Sequence, residues 1–216
     1  MTERPLRQID SPAAKELAET ILIQTDIRFA ISAIGIWQRM ASEMKEGEDS
    51  TVICQALFRD AIVQFIGCFE EKPKHTLVRD QVYSENNGGH EYFKWLQDMR
   101  DAYAAHKFGA LRQSSAGVVV EDGKAISHGF LQSIYLGPDV QGAPQLLHFM
   151  QIAADFVAVK IKTLEQRMLE EVRLMTAEQL EALPIIRMHG VDPVDVRKTR
   201  ADLQRSKTGK PPVKHR

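Results

Sequence analysis

Apolar residues recur at intervals of three and four along four long stretches of the chain, the spacing typical of amphipathic helices. The first stretch begins at Ser11-Pro12, a serine N-cap followed by proline at the first helical position, and extends to about Lys45. The others cover about 51–70, 90–107 and 144–175. The pattern predicts a mainly all-α fold, an up-and-down bundle of about four long helices.

The apolar stripe of each helix predicts the face that it buries. The first helix is apolar enough to need cover on more than one side, either within the bundle or against a second chain. In the first helix the predicted apolar stripe is Leu17, Ile21, Thr25, Phe29 and Ile36, broadened by Leu22, Ile27, Ile31 and Ile34. In the fourth helix the predicted inward residues are Leu147, Ile152, Phe156, Val159, Leu164, Met168 and Val172.

Between the third and fourth helices, the pattern of apolar residues changes from that of a helix to that of a β-strand. Residues 117–121 and 124–127 are typical of strands, and the Asp122-Gly123 pair between them predicts a hairpin turn. We expect a third short strand over Phe130–Leu136, and a flap, at about 115–136, that leans on the helices because so small a sheet is marginal alone. Residues 11–175 then form the bundle, and 176–216 a capped short helix followed by a basic, partly disordered tail.

Charge is divided unevenly along the chain. Residues 197–216 carry eight bases and one acid; without them, 28 bases and 29 acids become 20 and 28, so residues 1–196 have a net charge of −8. A broad positive field for nucleic acid is therefore excluded from the body, and any RNA contact is confined to a local site or to the tail.

The cysteines and the most apolar run indicate a soluble cytoplasmic protein without a membrane partner. Cys54 and Cys68 lie about 21 Å apart along one predicted helix, so they do not bond to each other and are expected to be buried thiols. The charged N-terminus lacks the apolar core of a signal peptide. The run Thr20–Trp37 contains Gln24, Asp26 and Arg28, which we judge too polar for a membrane span.

Candidate chemistry concentrates on the third helix, in the segment 95–109, WLQDMRDAYAAHKFG. Helical rotation places its apolar residues in one arc of about 120°, with Arg100 near one edge. Arg100, Tyr103 and His106 follow one another at intervals of three, over about 9 Å of rise. The arc comprises Tyr92, Trp95, Leu96, Met99, Ala102, Tyr103 and His106.

These residue types suit work on a phosphodiester. The Arg100 guanidinium is able to bind a phosphate through two donors, and His106 is able to give or take a proton near neutral pH. Tyr103 is a candidate for orienting the phosphate and Lys107 for added positive charge. In the alternative interpretation, His106 bonds a helix-end carbonyl, Arg100 pairs with Asp101 or another acid, and Tyr103 belongs to the core.

The segment Arg100–His106, with its five intervening residues at the end of a helix, resembles the Arg-x4–6-His motif of the HEPN superfamily, and MRDAYAAHKF resembles its abortive-infection-type members. The resemblance implies an all-α dimer acting as a metal-independent endoribonuclease, a toxin or phage-defence effector with a possible antitoxin or regulatory partner. Arg100 and His106 would be catalytic, two copies would meet at one cleft, and Asp101 would occupy a position that supports its neighbours.

The sequence contains few signals for metal, cofactor or anion sites. None of the seven histidines pairs with another at the third or fourth position, so no metal site is predicted, and no cofactor is expected. Asn87-Gly88-Gly89-His90 at a helix start is a candidate anion site, although a flexible turn is the better explanation of this segment. The alternative function, from another class, is a non-catalytic helical module that binds a partner protein or antitoxin through the same surface.

Overall fold

The fold is mainly helical with one small antiparallel sheet, as predicted. A computed structural model of the chain describes residues 6–43, 48–69, 76–83, 88–105, 112–134, 137 and 141–186. Within those ranges there are four long helices, two short ones and two strands. In chain order they are α1 (Pro12–Glu43), α2 (Glu48–Gly67), α3 (Arg79–Val82), α4 (Gly89–Ala105), β1 (Arg112–Glu121), β2 (Lys124–Ile134), α5 (Ala143–Arg173) and α6 (Ala177–Ala182).

Local sequence signals set where the helices begin. The Ser11 hydroxyl accepts a hydrogen bond from the Ala14 amide at 3.1 Å, so Ser11 caps α1 as predicted. Thr176 and Gln179 form the predicted capping box at α6, each accepting from the other's backbone amide. Pro144 lies in the first turn of α5, where its missing N–H costs no hydrogen bond.

The core of the unit Asp10–Leu174 lies between the long helices. α1 packs against both α2 and α5, and α2 packs against α4. A salt bridge of 2.8 Å joins Lys160 of α5 to Glu16 of α1 at the edge of that contact. Gly137 lies directly against the ring of Trp37, where a Cβ atom would come within 2.7 Å of Cζ2. The largest fully buried side chains are Thr20, Ile27, Ile34, Phe58, Ile62, Phe65, Ile66, Tyr83, Leu96, Leu146, Met150 and Val157.

The predicted inward face is only partly right for α1 and mostly right for α5. In α1, Leu17, Ile27 and Ile34 are buried as expected, but the other residues of the narrow stripe, Ile21, Thr25, Phe29 and Ile36, are exposed, as is Leu22. In α5, Leu164 is buried and Leu147, Ile152, Phe156 and Met168 pack against the core, whereas Val159 is 66% exposed. The observed faces use smaller residues as well as large ones. The buried residues are Ala13, Leu17, Thr20, Ile27, Ala30, Ala33, Ile34 and Trp37 in α1, and Ala143, Leu146, Phe149, Met150, Ala153, Val157, Ile161 and Leu164 in α5.

The hairpin forms about the predicted turn but extends further and leaves its described side chains exposed. Asp122 and Gly123 both have positive φ, 49° and 75°, as a two-residue type I′ turn requires. Phe130 pairs with Ala116 within β2, so the predicted third strand is the continuation of the second. Every described side chain from Ser114 to Leu131 is exposed, and the expectation that the flap leans on the helices is therefore wrong.

The described residues 6–9 and 175–186 belong to a second compact unit. Around Arg7, residues 6–8 run antiparallel to 184–186, with the Gln8 amide donating to the Pro184 carbonyl at 2.7 Å. The Arg7 guanidinium donates to the carbonyls of Glu181 and Leu183, at the C-terminal end of α6. The basic tail, 197–216, lies outside the described residues.

The described part of the chain contains one helix, α1, that is long and apolar enough to cross a membrane by length and composition. The polar residues Gln24, Asp26 and Arg28 therefore do not rule out a span by themselves. Core helices of soluble proteins meet the same criterion, and one face of α1 is buried against α2 and α5. The arrangement is compatible with a soluble protein.

Candidate functional site

The buried face of α4 reaches further around the helix than the predicted arc. Leu96 and Met99 are buried as expected, and Phe93, which was outside the arc, is only 2% exposed. At about 100° per residue, Arg100 lies about 20° from Phe93 and about 40° from Leu96 around the helix axis. Arg100 therefore emerges on the core-facing side of α4, and its side chain is 20% exposed.

Arg100 and Asp101 form an ion pair at the surface of α4. The guanidinium donates from Nε to Oδ1 of Asp101 at 3.0 Å, and Nη2 lies 2.9 Å from the same oxygen. The carboxylate is 62% exposed, so solvent screens the pair, and its contribution to the free energy of unfolding is small. Its geometric effect is larger, because contacts from two nitrogens to one oxygen orient the guanidinium.

Tyr103 belongs to the aromatic core, as the alternative interpretation of the sequence expected. Its ring meets Phe58 of α2 edge-on, with centroids 6.1 Å apart and an interplanar angle of 71°. Phe58 is fully buried and also contacts Trp37 of α1, at 5.8 Å. This chain of rings anchors the last turns of α4, and with them Arg100, to the centre of the bundle.

His106 and Lys107 lie outside the described residues, since the described part of α4 ends at Ala105. Three of the five predicted site residues are therefore located: Arg100, Asp101 and Tyr103. Arg100 and Asp101 are in direct contact, and Tyr103 lies one turn further along the helix against the core. What this arrangement offers chemically is one oriented, partly exposed guanidinium near the end of a rigidly packed helix.

The opposite end of α4 contains the glycine pair considered as an anion site. Gly88 has φ +71°, and Gly88 and Gly89 line a cavity of about 440 Å³ between the start of α4 and α5. Its other walls include Tyr92, Trp95 and Phe149, while the described lining contains an acid, Glu91, and no lysine or arginine. An anion gains little from such a lining, and Asn87 lies outside the described residues.

His90 connects α4 to the segment before it. Its Nε2 lies 2.9 Å from the Tyr83 carbonyl oxygen and 3.5 Å from Oδ1 of Asp80. A hydrogen bond from Arg79 holds the pKa of Asp80 below its ordinary value, so Asp80 is an anion at neutral pH. These contacts give His90 a structural role at the start of α4.

No sequence pattern predicted the aromatic cluster centred on Tyr83, because Tyr83 follows the four-residue helix α3, which is too short to show a periodic pattern. The ring stacks on Phe149 at 4.1 Å, and its hydroxyl donates to the Phe149 carbonyl at 3.0 Å. Phe69 and Phe93 complete the cluster around it. Burial raises the pKa of the phenol well above its ordinary value.

Both cysteines are buried free thiols, as predicted. Burial is the main cause that raises the pKa of Cys68 to about 12, and the nearby Asp26 carboxylate adds to it. Burial also raises the pKa of Cys54. Neither thiol is suited to nucleophilic chemistry at neutral pH. Within the described ranges, no group of three or more His, Cys, Asp or Glu side chains is placed to hold a metal ion.

Comparison with protein families, with curated proteins and with solved structures found no match for this chain in any of the three.

Proposed function

We propose that the protein is a metal-independent endoribonuclease of the HEPN type, with cytoplasmic RNA as its substrate. The observation that supports the proposal is the position and orientation of the Arg100 guanidinium in the Arg-x5-His segment. It is partly exposed, fixed in orientation by Asp101, and mounted on a helix anchored by Tyr103 and Phe58. Asp101 then has the supporting role that its position in the motif implies.

The proposed reaction uses the RNA's own 2′-hydroxyl as nucleophile. Neutral His106 takes the proton of that hydroxyl, the 2′-oxygen bonds to the adjacent phosphorus, and the bond from phosphorus to the 5′-oxygen breaks. The leaving 5′-oxygen receives a proton from a protonated His106, so the products are a 2′,3′-cyclic phosphate and a 5′-hydroxyl. Arg100 neutralises the charge that gathers on the phosphorane oxygens.

Base and acid are needed in opposite protonation states in the same turnover. A single chain supplies one histidine in this motif, so we infer that two copies bring two Arg–His pairs to one cleft. A histidine near the C-terminus of a helix is held more readily in its protonated form, which suits the acid. The acidic body limits affinity to such local contacts, and a toxin or phage-defence effector with a neutralising partner is the corresponding biological setting.

RNA cleavage in the presence of EDTA tests the assignment. Wild type is compared with Arg100→Ala, His106→Ala and, as a matched control, Lys94→Ala, which removes an exposed charge from the same helix. We expect each motif substitution to lower the rate by about 10²-fold or more and the control to leave it unchanged. Equal cleavage by all four proteins would remove the assignment.

A non-catalytic protein-interaction module is the second candidate, and one observation favours it. The Arg100–Asp101 ion pair and the packing of Tyr103 on Phe58 are also what a purely structural role requires. Binding of an RNA phosphate distinguishes the two functions. In a ribonuclease, Arg100 must release Asp101 and contact the phosphate, whereas an interaction module has no such requirement. Protection of α4 by a non-cleavable 2′-O-methyl RNA in hydrogen exchange supports the nuclease, and its absence supports the interaction module.

A further inference from the structure

The face of α1 opposite the bundle core carries a row of exposed apolar side chains at intervals of seven residues. Leu22 is 65% exposed, Phe29 60% and Ile36 38%. A seven-residue interval keeps side chains on one side of a helix, with a drift of about 20° per step that supercoiling removes. The row has the spacing of one seam position in a two-helix coiled coil, and its three apolar side chains are exposed in the described part of the chain.

The same interval continues to both ends of the helix and ends in opposite charges. Seven residues before Leu22 lies Lys15, and seven after Ile36 lies Glu43; both are exposed. In order, the row is Lys15, Leu22, Phe29, Ile36 and Glu43. On either side of Phe29 it has an aliphatic residue of similar size and then a charged residue, and the two charges are opposite in sign. A surface of this kind complements its own copy when the copy runs in the opposite direction.

We propose that α1 binds α1 of a second copy of this chain as an antiparallel pair, with the two-fold axis at Phe29. In that register Phe29 meets its symmetry mate, Leu22 faces Ile36 of the other copy, and Lys15 faces Glu43 of the other copy. The parallel register instead sets Lys15 against Lys15 and Glu43 against Glu43, which like charges oppose. The terminal charges thus select one direction of pairing.

Small side chains beside the row leave room for the apolar ones of the second copy. Ala18, Thr25 and Ser32 each lie four residues before, or three after, a member of the row, and all three are exposed. Such positions form the holes that receive large side chains in a coiled coil. Lys15 already pairs with Asp10 at 2.5 Å, but both side chains are mostly exposed, so that pair costs little to rearrange.

A second copy is favoured over a membrane as the occupant of this face. Asp26 and Arg28 flank Phe29 on the exposed surface, and Lys15 and Glu43 end the row, so insertion in lipid would bury charges. A helix of 32 residues presents a footprint of about 48 Å by 10 Å. The two footprints sum to about 1,000 Å², near the lower limit for a specific interface, so the dimer should dissociate on dilution.

Sedimentation velocity over a range of concentrations tests the pair. We expect wild type to shift from dimer to monomer on dilution, and Phe29→Glu to weaken association by at least about tenfold. Val159→Glu is the control, because Val159 is 66% exposed but lies on α5. Circular dichroism confirms that each variant retains its helices. Monomer at every concentration overturns the proposal, as does a monomer that instead binds vesicles of phosphatidylcholine and phosphatidylglycerol.

Charge reversal tests the direction of pairing. Lys15→Glu alone and Glu43→Lys alone each convert two attractive contacts into two repulsive ones, and we expect about fivefold weaker association from each. The double variant restores both contacts and should associate like wild type. Single reversals without effect would overturn the antiparallel register, since a parallel pair exchanges one like-charge contact for another.

The inference rests on α1 and is independent of RNA chemistry. A dimer that leaves RNA intact contradicts only the ribonuclease proposal. A monomer that cleaves RNA contradicts the helix pair and the two-copy cleft, but leaves the roles of Arg100 and His106 in cleavage standing. The two proposals therefore fail separately.

Discussion

At the scale of single residues, the contact between Arg100 and Asp101 decides how the motif helix is interpreted. A carboxylate on a surface guanidinium adds little to the free energy of unfolding, because solvent screens both groups. The effect of the ion pair is on orientation, since Nε and Nη2 of the Arg100 guanidinium both contact one carboxylate oxygen of Asp101. In the proposed ribonuclease, the same pair that neutralises Arg100 at rest would prepare its geometry for a phosphate.

Asp101→Asn should separate orientation from stability. The amide keeps one acceptor oxygen but loses the charge, so we expect RNA cleavage to fall about tenfold while the thermal midpoint stays within about 2 °C of wild type. Asp98→Asn, at an exposed acid on the same helix, is the control and should change neither. A loss of stability without a loss of cleavage would mean that Asp101 is a structural partner only.

Burial of the Cys68 thiol predicts how stability depends on alkaline pH. Its pKa is about 12 in the folded chain against an ordinary value of 9.0, so the unfolded chain loses this proton first as pH rises. Stability from the neutral thiol is therefore complete below about pH 9 and decreases between pH 9 and 12. The raised pKa of Tyr83 acts in the same direction.

Urea midpoints at pH 7 to 11 for wild type and Cys68→Ala measure this effect. We expect wild type to lose more stability than the variant over that interval, because only wild type contains the thiol. Identical pH profiles for the two proteins would show that the thiol ionises equally in the folded and unfolded chains.

At the scale of elements, the sequence was informative where a local signal acts alone. Ser11, the Thr176–Gln179 pair and the Asp122-Gly123 turn each fix a boundary through their own hydrogen bonds or dihedral angles. These signals need no partner, so they can be read from neighbouring residues. The lengths of elements are harder to predict from such signals. For example, β2 continues to Ile134, where a separate third strand was expected.

The buried face of α1 shows where a local signal is insufficient, whereas most of the predicted face of α5 does pack against the core. Apolar residues lie on more than one side of α1, so periodicity alone does not select the side that meets α2 and α5. The prediction favoured large side chains, whereas close helix packing uses Ala30 in α1 and Ala153 in α5. On α4 the predicted arc of about 120° was narrower than the buried face, so it left out Phe93 and placed Arg100 at the edge of the arc and not on the core-facing side.

The hairpin should contribute nothing to the stability of the bundle. We expect deletion of residues 117–121 and 124–129, which preserves the Ala116–Phe130 pair and the Asp122-Gly123 turn, to change the free energy of unfolding by less than about 0.5 kcal/mol. The reason is that the described side chains removed are all exposed. A loss of several kcal/mol would reveal contacts between this hairpin and the helices.

At the scale of the whole molecule, charge, packing and the proposed chemistry belong to different parts of the chain. Residues 1–196 are acidic, α1 carries an exposed apolar row, and Arg100 lies on another helix anchored by aromatic rings. The sequence alone identified Arg100 as the candidate and its ion pair with Asp101 as one alternative. It could not reveal the aromatic support, since Phe58 and Trp37 come from two other helices.

The measurement that tests the ribonuclease proposal most directly is the chemical identity of the RNA ends. Wild type, Arg100→Ala and His106→Ala are incubated with RNA in EDTA, and the products are analysed by mass spectrometry. We predict 2′,3′-cyclic phosphate and 5′-hydroxyl ends from wild type, their loss in both variants, and no cleavage of a 2′-O-methyl RNA. Intact RNA with wild type, or the same ends at the same rate from both variants, would contradict it.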